Sequence, residues 1–234
     1  MSQYLKQHNV ITEARYEMSA LEKNILYLLM RELDENDPPE KEYGVDLVAI
    51  EKIVGPLAKK AIKEAISNLL SRSYEIKEAS SDILIVSLMT VVRHDVPAKE
   101  LRIKISKNIL PYFVALKKNY TVFELHVALS LRHKYAKRLY EMLSQHKEIG
   151  ELNISVKELK RRLKLNQEGT QQEKYTQFTT LRRNVLDIAQ KELQEHADIQ
   201  FTYEVKKTGR KYTDLTFYIK KVDKPKKYGQ MFLF

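Results

Sequence analysis

The chain has 234 residues, 43% of them hydrophobic, and carries 41 Lys and Arg against 31 Asp and Glu, a formal charge of +10. The absence of cysteine excludes disulfides, thiol catalysis and cysteine-ligated metal sites. No stretch approaches membrane-spanning length and residues 1–8 hold no apolar signal core, so the expectation is a soluble, cytoplasmic protein without a membrane partner. The charge is lopsided: residues 1–120 hold 18 basic against 17 acidic side chains, and residues 121–234 hold 23 against 14. A polyanion met mainly by the second half fits that asymmetry.

In the first half, Ser19 is placed to cap a strongly apolar helix, Leu21–Leu33, with Glu22 as its capping-box partner. An acidic, proline-broken loop, Asp34–Glu42, follows, then a short helix over Asp46–Val54. Pro56 precedes a third helix, Ala58–Leu70. It turns Ile62, Ala65, Ile66 and Leu69 inward and Lys59, Lys60, Lys63 and Ser67 outward. Tyr74–Lys77 and Ile83–Val92 read as a hairpin around Ser80–Asp82, and Leu101, Ile103 and Ile105 alternate in a further strand.

After a join near Pro111–Tyr120, the second half starts with Tyr120–Leu125 and a long helix to about His146. Leu125, Leu129, Ala136, Leu139 and Leu143 line its buried side, and Arg132, Lys134, Lys137 and Arg138 its surface. Ser155 and Glu158 form a capping box for Val156–Leu163. A polar loop over 166–170 leads to a helix from about Tyr175 to His196, with Phe178, Leu181, Val185, Ile188, Ala189 and Leu193 at helical spacing. Thr179, Thr180, Arg182 and Arg183 face outward. Two alternating strands, Phe201–Val205 and Tyr212–Ile219, flank a tip bearing Lys206, Lys207, Arg210 and Lys211, where Gly209 supplies a positive φ.

The order helix, helix, helix, hairpin thus occurs twice. The predicted class is α+β, two tandem winged-helix domains over residues 1–118 and 119–223, with 224–234 as a basic linker and C-terminal peptide. Arginines near the start of a helix can take guanine O6 and N7 in the major groove, and threonine can touch phosphate or a thymine methyl, so Thr179, Arg182 and Arg183 are candidate base readers. The wing cations suit phosphates. Lys59, Lys60, Lys63 and Ser67 are the equivalents in the first domain, and Arg132, Lys134, Lys157 and Arg161 are candidates for added backbone contacts. The six histidines lack metal-ligand spacing and no glycine loop precedes a Gly-Lys-Ser/Thr, so neither catalysis nor a cofactor is expected.

Several runs resemble the iteron-binding plasmid replication initiators of the RepE/RepA type. Asn9–Leu26 is similar to that family's opening segment and Leu131–Tyr140 to its mid-chain helix. Phe178–Leu193, followed by Phe201-Thr-Tyr-Glu204 and Gly209-Arg-Lys211, is similar to its second recognition helix and wing. The resemblance spans roughly Asn9 to Lys221. It implies origin binding at direct repeats by a monomer, repression at an inverted-repeat operator by a homodimer joined through the N-terminal domain, recruitment of host replication proteins and no intrinsic catalysis. A plain winged-helix transcription regulator is the other reading, separated from the first by site symmetry.

The tail, Gln230-Met-Phe-Leu-Phe234, resembles the short peptide by which bacterial replication factors bind the sliding clamp. Gln230, Leu233 and Phe234 match that motif, Met231 replaces its commoner leucine, and Phe232 departs from it.

Overall fold

The computed structural model describes residues 4–38, 40–77, 82–114, 116, 118–166 and 173–223. The sliding-clamp peptide, the linker from residue 224 and most of the loop at 166–170 lie outside them. The chain opens with β1 (Tyr4–His8) and α1 (Asn9–Glu13). Next come α2 (Ala20–Glu32), β2 (Tyr43–Asp46), α3 (Leu47–Val54) and α4 (Lys59–Ser71). Four strands follow: β3 (Ser73–Lys77), β4 (Ile83–Ser87), β5 (Met89–Asp95) and β6 (Glu100–Ile105). A one-turn helix α5 (Pro111–Val114), β7 (Tyr120–Glu124) and α6 (Leu125–Ser130) lead to α7 (Lys134–Gln145). The remainder is β8 (Glu151–Ser155), α8 (Val156–Arg162), a composite helix α9 and the strands β9 (Ile199–Thr208) and β10 (Lys211–Lys221). Helix α9 is α-helical over Phe178–Leu181, a π-turn over Arg182–Leu186 and α-helical again over Asp187–His196.

Two copies of one topology emerge. In the first, α2–β2–α3–α4–β5–β6 gives a sheet ordered β2-β6-β5; in the second, α7–β8–α8–α9–β9–β10 gives β8-β10-β9. Each is a winged helix, so the tandem architecture holds. The predicted caps hold too: Ser19 Oγ accepts from Glu22 N and Ser155 Oγ from Glu158 N. The reciprocal halves of the two capping boxes do not form. The Glu22 carboxylate is taken by Arg72 and Asn68, and that of Glu158 by Arg161 and Arg162.

Three expectations are corrected. The run Ile83–Val92 is two strands. Leu88 is fully buried and its N–H bonds Arg72 O, so β4 pairs with β3 while β5 pairs with β6 as the first wing. The long helix ending near His146 is broken at Leu131–His133, where the Glu192 carboxylate accepts from the N–H groups of Arg132 and His133, and His133 Nδ1 accepts from Tyr135 N. Lys137 and Arg138 are buried at 0% and 4% exposure rather than on the surface. The short strands β2 and β8, absent from the sequence reading, complete each sheet through pairing with distant β6 and β10.

Those two buried cations belong to a polar core between the halves. The carboxylate of Glu141, fully buried, accepts from Tyr16 and Tyr27 hydroxyls at 2.9 and 2.8 Å and from Arg138 at 2.8 Å, and pairs with Lys23. Arg138 also donates to the carbonyls of Thr12, Ala14 and Arg162. Lys137 donates to Asn24 Oδ1 and to the Ala128 carbonyl. A buried charge is tolerated only when paired and hydrogen-bonded in this way. β7 adds a second tie, pairing antiparallel with β1 from Tyr4↔Glu124 to His8↔Tyr120. The chain on either side of residues 118–119 is therefore joined by a sheet.

Candidate nucleic-acid interface

Each winged helix presents its third helix, α4 or α9, outward. The supporting helices α2, α3, α7 and α8 all begin on a side-chain cap, from Ser19, Asp46, His133 and Ser155. Helices α4 and α9 begin without one, as does the six-residue α6, and neither has an acidic residue in its first turn. Cations at a helix N-terminus oppose the helix dipole, and uncapped N–H groups there seek an anion. In α4 the outward residues Lys59, Lys60, Lys63 and Ser67 are all exposed, with Lys60 3.8 Å from Glu64. An N-terminus left uncapped and surrounded by lysines suits phosphate.

In α9, Leu181, Val185, Leu186, Ala189 and Leu193 are buried, which leaves Thr179, Arg182 and Arg183 exposed together. The wing stands beside them. Gly209 at φ 61 turns β9 into β10, and Lys206, Lys207, Arg210 and Lys211 are all exposed at the tip. The register slips between Tyr212 and Asp214, a bulge that re-aims the tip. Tyr212 stacks on Phe178 at 4.3 Å between ring centroids, and Lys207 Nζ lies 4.4 Å from the Tyr212 ring. Helix and wing are thus clamped by a stack that runs from the first residue of α9 to a wing cation.

The four residues expected to add backbone contacts divide. Arg132 and Lys157 are exposed. Lys134 is half-buried and bonded to Glu17 at 2.6 Å. Arg161 is held inward, bidentate on Glu158 and donating to the Glu13 carbonyl. Burial alone would raise the Glu158 pKa, but the two arginines bonded to it hold it at about 2, so this pairing persists at neutral pH.

The pattern described as Initiator Replication protein, WH1, matches residues 4–144, and that of Initiator Rep protein, WH2, matches residues 155–219. The chain belongs to the replication initiator family. This initiator is 25% identical over 248 residues to the PI protein of Escherichia coli, covering 91% of this chain and 81% of that one. It is 27% identical over 222 residues to an uncharacterized 27.6 kDa protein of Escherichia coli, covering 88% and 91%. Its fold is similar to that in the crystal structure of Pi initiator protein in complex with iteron DNA, with a TM-score of 0.77, 23% identity and coverage of 95% and 98%. That likeness establishes the shared tandem fold. No helix among the described residues is long and apolar enough to cross a membrane.

Four side chains of this candidate interface escape the sequence reading. Tyr212 is read there only as a strand residue, yet it joins helix to wing. Asn184, inside the π-turn, donates its side-chain amide back to the Thr180 carbonyl at 2.8 Å. Asp187 lies 3.8 Å from Arg182, and Tyr203 on β9 lies within the field of the Asp187 carboxylate. Burial, and then the Asp187 charge, raise the Tyr203 pKa, so its hydroxyl stays protonated. The π-turn brings Asp187 to Arg182, and helical periodicity does not signal it.

Proposed function

We propose that this initiator binds repeated origin sequences, iterons, as a monomer whose two third helices enter successive major grooves. Thr179, Arg182 and Arg183 contact bases from α9, and Lys59, Lys60, Lys63 and Ser67 make the weaker contacts from α4. Lys206, Lys207, Arg210 and Lys211 grip phosphates and the exposed Arg132 and Lys157 add to them, while Lys134 and Arg161 stay with Glu17 and Glu158. We assign dimerisation and part of the DNA contact to residues 1–118 and the main sequence-specific contact to residues 119–223. In this reading a homodimer represses at an inverted-repeat operator. The tail residues Gln230, Met231, Leu233 and Phe234 meet a bacterial sliding clamp, and other host replication proteins are recruited in the cytoplasm. The protein acts by binding, without catalysis or cofactor.

The observation that carries the reading is the pair of uncapped third helices with outward cations, at the same place in two copies of one topology. The relative whose fold it shares, Pi, is bound to iteron DNA in its crystal structure, which supports iterons as the target. Selection of bound duplexes from a random pool at near-physiological salt tests it. One asymmetric site of about two helical turns is expected, with centres of contact roughly 10 base pairs apart. Recovery of palindromes alone would replace it with a dimeric transcription regulator. With about six to ten phosphates neutralised, affinity should fall about 10³- to 10⁵-fold between 50 and 200 mM salt.

A further inference from the structure

Arg182 and Arg183 are neighbours in sequence, both exposed at the start of α9, yet their surroundings differ. Among the described residues Arg183 has no ion-pair or hydrogen-bond partner. Arg182 has Asp187, with Nε to Oδ2 at 3.8 Å and both side chains about half exposed, at 56% and 49%. Residues five apart do not face one another on an α-helix, since they differ by roughly 140° around the axis. Here they do because the turn is π-helical: Asp187 N–H bonds the Arg182 carbonyl, the i→i+5 closure. The Asn184 amide, from inside the π-turn, donates back to the Thr180 carbonyl in the turn before it, and Tyr203 on the neighbouring strand lies within the field of the Asp187 carboxylate. π-turns inside α-helices are frequent at functional sites, and here one carries a carboxylate over a candidate base reader.

We propose that Asp187 is a specificity-positioning residue: it holds the Nε edge of Arg182 so that the two Nη groups are presented as a fixed fork to a guanine. This rests on the reading of α9 as the DNA-facing helix. The chemistry is otherwise hard to account for, because a carboxylate beside the phosphate backbone weakens binding to every sequence. Its return is preorganisation. An arginine already oriented loses less side-chain freedom when it makes two hydrogen bonds, and that gain applies only where guanine stands. Asn184 acts through the same device, fixing the π-turn rather than touching a base.

The test uses the full chain, the duplex recovered by selection, its single-base variants and a random duplex, with affinities from fluorescence anisotropy. Arg182→Ala identifies the base pair that Arg182 reads, as the position where discrimination falls about tenfold or more. Asp187→Asn, nearly isosteric and exposed, is expected to bind random DNA more tightly. At the same time it should lose three- to tenfold in discrimination at that base pair alone, and change discrimination no further once Arg182 is alanine. Asn184→Ala should lose discrimination at the same base pair and speed amide exchange within 182–187 of the free protein. If Asp187→Asn tightens specific and random duplexes equally, or acts as strongly in the Arg182→Ala background, Asp187 is only a repulsive surface charge and the proposal falls. If Arg182→Ala and Arg183→Ala both leave every base preference intact, the reading of α9 itself fails. That outcome is distinct from a failure of Asp187 alone.

Discussion

The two winged helices share an order of elements and a sheet topology but are equipped differently. Helix α4 is continuous and offers lysines, point charges on flexible stems, whereas α9 contains a π-turn and offers arginines, one of them 3.8 Å from a carboxylate. The first wing ends in Val96-Pro-Ala-Lys99, with acidic Asp95 and Glu100 at its base; the second ends in four cations. In the proposed reading one scaffold, used twice, supplies grip in one place and discrimination in another, with the difference carried by a few side chains and one irregular turn.

Removing what the halves share should have the largest effect. Glu141 sits in α7 but accepts from Tyr16, Tyr27 and Lys23 of the first half. Glu141→Ala leaves two buried cations short of a partner and should cost about 3–5 kcal/mol. Amide exchange should quicken in α2 and α9 together; protection lost in one half only would show that the two fold independently. Next is the wing. Replacing Lys206, Lys207, Arg210 and Lys211 by alanine should flatten the log–log salt dependence of binding by about 3 to 4, at roughly 0.9 per phosphate, with sequence preference retained. Arg183→Ala should cost about 1–3 kcal/mol and relax preference at one base pair. Lys63→Ala should weaken all sequences alike and lower the salt slope by about 1. Equal, sequence-selective losses from Lys63 and Arg183 would erase the distinction between α4 and α9.

The smallest effect is one of pH. Burial, reinforced by the nearby Lys23 charge, lowers the Lys137 pKa from 10.5 to about 7. Between those values the unfolded chain binds more protons than the folded one, so stability rises with pH there. The penalty is fully present below about pH 7. Lys23, lowered to about 8 chiefly by burial, contributes with the same sign. Urea unfolding between pH 6 and 9 should show rising stability, and Lys137→Met should flatten the rise without abolishing it. An unchanged slope would mean that Lys137 stays charged in the fold.

What the sequence made legible is what local chemistry decides. Ser19 and Ser155 cap as their positions predict, Gly209 turns the wing, and the 3.6-residue spacing of Leu181, Val185, Ala189 and Leu193 places the outward face of α9 correctly. Most of the misses depend on partners far along the chain. Apolar spacing runs unbroken from Leu125 to Leu143 because Leu131 is buried as well, and the break at Leu131–His133 is stabilised by Glu192, some sixty residues on. Lys137 and Arg138 look like surface residues until Asn24, Tyr16 and the carbonyls of Thr12 and Ala14 arrive from the other half. β2 and β8 are too short to register without β6 and β10 beside them. The Arg182–Asp187 pairing was hidden for another reason, since five-residue spacing on a regular helix implies no contact.

The position of α7 also bears on how such a protein can be rebuilt. It stands first in the second copy of the topology, yet its Lys137, Arg138 and Glu141 fall within the residues matched by the WH1 pattern and find partners in the first half. A chimera that takes the second winged helix from a relative takes these three side chains with it. The graft must then meet a tyrosine pair, a lysine and an asparagine in the host half that match, or leave charges stranded in the core. New binding specificities are more readily obtained by exchanging residues 178–196 and the wing, whose buried faces contact their own domain, than by exchanging the domain whole.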